Sequence, residues 1–124
     1  MRLDNVYLMT LSLLIFHQID AAYWQEWQMF HLPGGTQGYL VFNIAVLPFL
    51  LIGYANVIKG HKSGFLCSYI CAGLGVLTGL IHATFALFES QRFNLPLSML
   101  IIMLCLVSGM IQLAVTWRHA GSKT

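Results

Sequence analysis

Residues 6–30 read VYLMTLSLLIFHQIDAAYWQEWQMF, and this stretch decides what kind of protein the chain makes. The first part, Val6 to Phe16, contains no charge at all. It then runs into His17 and Asp20 without a turn signal, and ends in a cluster of Tyr23, Trp24, Trp27 and Phe30. An apolar run of about 20 residues at 1.5 Å per residue crosses a hydrocarbon core, and a group of aromatics at its end marks the interface. The rest of the composition agrees. Of 124 residues, 58% are apolar and 8% are charged, where soluble domains carry about 25% charged residues. So little charge does not cover a water-facing surface, and the implied solvent is lipid.

Four apolar segments fit this reading, about 5–24, 39–58, 65–88 and 95–117. The separators LPGGTQG, KGHKSG and ESQRFN have turn composition. Short separators make consecutive helices antiparallel neighbours. The expected fold is therefore all-α: one domain, a four-transmembrane-helix antiparallel bundle. No period-two alternation supports a barrel. Arg2 and the run to Phe16 resemble a secretory leader, but no small-x-small cleavage site follows, so the first segment is expected to stay in the mature protein.

Arg2, Lys59, Lys62, Arg118 and Lys123 fall on one side of a four-span chain, and Arg92 alone on the other. This bias places both termini in the cytoplasm. Trp117 then lies at the inner interface, and the aromatics from Tyr23 to Phe30 form a belt at the outer one. A net charge of +2 with no basic stripe argues against nucleic acid. Cys67, Cys71 and Cys105 lie inside apolar runs and read as small buried hydrophobes. Pro48, inside the second segment, is expected to kink it and free a carbonyl.

Polar side chains from all four segments gather in the outer leaflet. His17 lies about 10 Å below the outer end of the first helix, Asp20 about 6 Å, and His82 at about the depth of His17. Asn43, Glu89, Asn94 and Ser98 lie near the same surface. On the third segment Gly75, Gly79, His82 and Glu89 share one face, and the Gly75/Gly79 step lets a neighbouring helix, or a second copy of the chain, approach closely. Intramembrane ionisable groups usually face a bundle interior or a wet cavity.

Three functions fit that cluster. His17, Asp20 and His82 form a ligand set suited to zinc or ferrous iron, and a metal there would support hydrolysis by a membrane-embedded enzyme. Without metal, a His–Asp pair binds a small ligand or ion or relays protons, with Asn43, Glu89 and Trp24 as surrounding or entrance residues. A purely structural or assembly role leaves the same groups as interhelical glue. Glu26 would sit opposite His17 on a continued helix and reads as a solvated loop carboxylate. His31 reaches the cluster only if the LPGG segment folds back as a lid. His61 and His119 read as interfacial, and Gln112 with Ser108 as a local packing contact. No GxSxG, HExxH, Cys–His pair at one depth or glycine-rich phosphate loop occurs.

Across HQIDAAYWQEWQMF, LPGG and QGYLVFNIAVLPFLLIGY, residues 17–54, the chain resembles a group of small bacterial four-helix membrane proteins of unknown function. It is also similar to bacterial membrane proteins with an HxxEE motif in an early helix; the corresponding positions here are His17, Asp20 and Ala21, so the second carboxylate is missing. The resemblance implies a bacterial inner-membrane location and no particular activity.

The charge bias gives a direct test of topology. Cysteines introduced at Lys62 and Ser122 are expected to react with a membrane-impermeant maleimide only after permeabilisation, and one at Thr36 in intact cells. The reverse labelling pattern would invert the orientation.

Overall fold

Helix α1, Leu3–Trp24, begins after the extended Arg2 and carries Asp4 in its first turn, where a negative charge suits the exposed N–H groups. Arg2 pairs with Asp4 at 2.7 Å. In this computed structural model the described residues are 1–29, 31–88 and 96–122. Among them the chain continues through a short α2, Glu26–Met29, and three long helices, α3 (Gly35–Ile58), α4 (Ser63–Phe88) and α5 (Pro96–Ser122). Four helices, α1, α3, α4 and α5, are long and apolar enough to cross a membrane, and they pack against each other. The chain is an all-α, four-span bundle.

The boundaries follow local chemistry. Gly34, at φ 100°, caps α3, so that helix starts four residues earlier than the apolar run alone implies, at Gly35 rather than about 39. Among the described residues α5 covers Pro96–Ser122 and so runs past Trp117. Helix α3 is continuous through Pro48. The α2 turn has no counterpart in the sequence reading, because four residues carry no periodicity to read.

Packing is uneven around the ring. The most extensive contact joins α4 to α5, followed by α1 with α5 and α3 with α4, whereas α1 and α3, though consecutive spans, touch little. Small residues explain the first. A methyl group on Gly109 would lie 2.7 Å from the Ala72 carbonyl oxygen and 2.9 Å from the Val76 nitrogen, and one on Gly75 would lie 2.9 Å from the Cys105 carbonyl oxygen. Gly79 meets Leu106 in the same seam. The Gly75/Gly79 face is thus in contact with α5 of its own chain. Glycine there lets backbones approach to distances that any side chain prevents.

The apolar centre is formed by Tyr7, Leu11, Leu14, Leu50, Cys67, Cys71 and Cys105, and the three cysteines are free and buried. Hydroxyls and an amide cross-link this centre. Tyr7 donates to the Leu50 carbonyl at 2.7 Å, Thr10 and Ser108 share a 2.6 Å bond, and Ser68 meets Thr116 at 2.7 Å. Gln112 donates to Ser68 Oγ at 2.9 Å. Gln112 and Ser108 therefore do not form a local pair: each reaches a different helix, α4 and α1. Buried polar groups in lipid need such partners, and each bond is modest in net energy, about 0.6 kcal/mol on average in the one membrane protein surveyed.

Helix α3 is peripheral. It buries only Leu50 and Gly53, both in its second half. Gly53 fits directly against Cys67 and Tyr7. The first half of α3 has no buried residue, a point that matters below.

Gly109→Ala is expected to push α4 from α5 and destabilise the bundle by about 1–3 kcal/mol, the usual range for overpacking. Gly73→Ala, where an added methyl meets nothing within 4 Å, is expected to leave stability unchanged or raise it. Unfolding midpoints in mixed micelles would compare the two.

Candidate metal centre

Gln25 determines the geometry of the site. It sits in the left-handed region at φ 53°, ψ 54°, with its N–H directed to the Ala21 and Ala22 carbonyls, and so ends α1 in the manner of a left-handed cap. On a helix continued without that cap, Glu26 would lie nine positions beyond His17, about 13 Å further along the axis and on the opposite face. The turn at Gln25 instead folds α2 back over the bundle. Trp27 is buried by the same turn and packs on Tyr39 of α3, ring centres 5.0 Å apart. Tyr39 in turn donates its hydroxyl hydrogen to Gln18 of α1. These contacts hold α2 in place.

Glu26 then enters a gap between α1 and α4. One carboxylate oxygen lies 3.5 Å from His17 Nε2, and the other 3.2 Å from His82 Nε2. The two imidazoles meet edge to face, centroids 4.9 Å apart at 83°. All three side chains are buried. Burial pushes the Glu26 carboxyl up, but hydrogen bonds and charge from His17 and His82 outweigh it and hold the pKa down at about 2.

His17, Glu26 and His82 offer one ligand atom each, all within 4.8 Å of one another. Zinc bonds to nitrogen and oxygen of about 2.0–2.2 Å put the ligand atoms of a tetrahedron roughly 3.4 Å apart. The two imidazole–carboxylate separations, each to a different Glu26 oxygen, lie near that spacing. His17 Nδ1 is buried without a hydrogen-bond partner among the described residues. The donor set therefore fits a small divalent cation. Beside it lies a cavity of about 550 Å3, bounded by α1, α2, α3 and α4 and including all three cluster residues in its wall.

The other residues singled out in the sequence lie elsewhere. Asp20 is not part of this triangle: its Oδ1 accepts from Ser98 Oγ at 2.9 Å and from Trp24 Nε1 at 3.2 Å, tying α1 to α5. Trp24 is thus a partner of Asp20. Asn43 donates to the Tyr39 carbonyl of its own helix at 2.9 Å. His31 is exposed, at φ 55°, and Leu32 and Pro33 rather than His31 border the cavity. Glu89 and Asn94 lie outside the described residues, as does Phe30.

Two sequence expectations change. Glu26 is not a solvated loop carboxylate, and Trp27 is not in the interfacial belt; both are buried because the chain reverses at Gln25. Tyr23 and Trp117 are largely exposed. One signal bearing on Glu26 was present. With only four acidic residues in the chain, one placed two residues beyond a membrane helix and among tryptophans is costly without a partner. The turn itself was hidden, since glutamine is not a residue that announces a left-handed cap.

Residues 3–119 match the model of a family of unknown function, DUF6713, and the chain belongs to that family. No curated protein and no solved structure matches it.

If the turn at Gln25 sets the site, its backbone preference should be measurable. Gln25→Gly is expected to stabilise slightly, and Gln25→Val to destabilise by about 1–2 kcal/mol, because a β-branched side chain resists positive φ. Unfolding midpoints of the two variants against wild type provide the check.

Proposed function

We propose that this family member binds a divalent transition-metal ion, zinc in the first instance, through His17 Nε2, His82 Nε2 and the Glu26 carboxylate. The single observation that carries this is the convergence of two buried imidazoles on one buried carboxylate, one donor atom of each lying within 4.8 Å of the others. Two histidines and a carboxylate are the protein ligands of a class of catalytic zinc sites, which keep a further position for water or substrate; structural zinc sites usually supply four protein ligands. A metal so held acidifies a bound water and polarises a carbonyl or phosphoryl oxygen. The three-ligand count and the adjoining cavity favour a small-ligand or hydrolytic role over a purely structural one.

His17 and His82 come from α1 and α4, two helices that run in the same direction, so their separation is fixed by the bundle. Glu26 comes from α2, a four-residue helix anchored by Trp27 and Tyr39. The chain's residues thus supply two rigid ligands and one that a turn delivers. Asp20, with Ser98 and Trp24, would hold α1 against α5 and keep His17 at its level. The five-to-one distribution of basic residues supports a setting in the bacterial inner membrane with both termini cytoplasmic, which puts the centre under the periplasmic face.

Elemental analysis of protein extracted without chelator tests the reading. Wild type is expected to carry about one zinc per chain, and His17→Ala, His82→Ala and Glu26→Ala to lose it. Asp20→Asn is expected to keep it. Wild-type protein free of any transition metal, and unable to take up zinc on titration, would reduce the three residues to a hydrogen-bonded contact between helices.

A further inference from the structure

The cavity beside the cluster has a lining of two unlike kinds. His17, Glu26 and His82, all buried, supply its ionisable part, and Leu32, Phe42 and Ile81 belong to its apolar part. Phe42 lies in α3 and Ile81 in α4, within the apolar segments, yet they are 47% and 41% exposed. A cavity bordered by partly exposed residues of two apolar spans fits a cleft between α3 and α4 that opens sideways to the bilayer.

The packing of α3 gives the reason. Its buried residues, Leu50 and Gly53, are confined to the second half, where Gly53 lies directly against α4 and α1. The first half buries nothing, and the space behind it is the cleft. Trp27 and Tyr39, stacked 5.0 Å apart, form part of the wall nearest the α1–α3 connection. A volume of about 550 Å3 falls within the range of about 300–1,000 Å3 typical of small-molecule sites.

The two kinds of lining together specify an occupant. The apolar residues suit a hydrocarbon chain, which would leave one apolar environment for another. The ionisable cluster suits an oxygen ligand. With neutral imidazoles, a divalent ion and one carboxylate leave a net positive charge that an anionic oxygen neutralises. We propose that the cleft binds a single-chain amphiphile with a carboxylate head, taken laterally from the membrane, its head at the His17/Glu26/His82 centre and its chain past Thr78 to Phe42 and Ile81. This deepens the metal reading, on which the head contact rests, while the chain contact rests on the cleft alone.

Trp27, buried in the cleft wall, supplies the probe. In a Trp24→Phe/Trp117→Phe background it is the only tryptophan left among the three. Zinc-loaded protein in this background, reconstituted in unbrominated lipid, is titrated with a mid-chain dibrominated fatty acid. A dibrominated alkyl trimethylammonium of equal chain length is titrated in parallel, and zinc content is measured on every sample. Saturable quenching is expected with the fatty acid, about tenfold tighter than with the cationic amphiphile. Thr78→Phe, which fills the cleft, is expected to weaken it at least tenfold while retaining zinc, and Thr78→Leu by less. Quenching that never saturates and is unchanged in both Thr78 variants would overturn the cleft as a binding site. Equal affinity for the two heads on zinc-loaded protein would overturn the carboxylate assignment. Saturable quenching, lost in Thr78→Phe, in a wild type that takes up no zinc would support the cleft and overturn the metal reading instead.

Discussion

A carboxylate buried at the margin of an apolar bundle persists only if something compensates for its lost water. Glu26 has two such partners, one on α1 and one on α4, and that three-way contact links parts of the molecule that share little else. It joins α1, α2 and α4 at the end of the bundle where Tyr39 of α3 bonds to Gln18 of α1. It orients both imidazoles toward one point, and it fixes α2 over the cleft. Removing one partner from such a set costs more than the pair contributes, because the remaining charge stays buried.

The seam between α4 and α5 provides the frame for this contact. Gly75, Gly79 and Gly109 bring the two backbones close, and Cys71 and Cys105 fill the centre without bulk. Hydroxyls and Gln112 then satisfy one another across helices rather than within them. A tight seam on one side leaves the opposite side loose. Helix α3 buries only Leu50 and Gly53 and is tied in its other half through Tyr39 to Trp27 and Gln18, so a cavity forms where close packing stops. Rigidity at one side and space at the other have a common origin in where the small residues fall.

The polar groups divide by role along the bundle. Thr10, Ser68, Ser108, Gln112 and Thr116 are neutral, fully or nearly fully buried, and joined to partners on other helices; they behave as interhelical glue. The ionisable groups are elsewhere. His17, Glu26 and His82 adjoin the cavity, and Asp20 joins α1 to α5 beside them. Neutral hydrogen bonds join the helices within the bundle, while His17, Glu26 and His82 border the cavity.

The sequence by itself determined the four spans, their order and the level of His17 and His82 along them, because length, apolarity and rise per residue are local properties. It also identified the close-packing face of Gly75 and Gly79, since helical spacing alone puts small residues in one stripe. Only the tertiary structure decided which carboxylate completes the cluster. Asp20 is nearer to His17 along the helix, but its direction carries it to Ser98 on α5. Glu26 is further in sequence and reaches both histidines through one residue of positive φ, a backbone state that glutamine does not advertise. Partners across a bundle, and the space left where α3 stands off, depend on how faces rotate against each other. No periodicity in a single chain records that rotation.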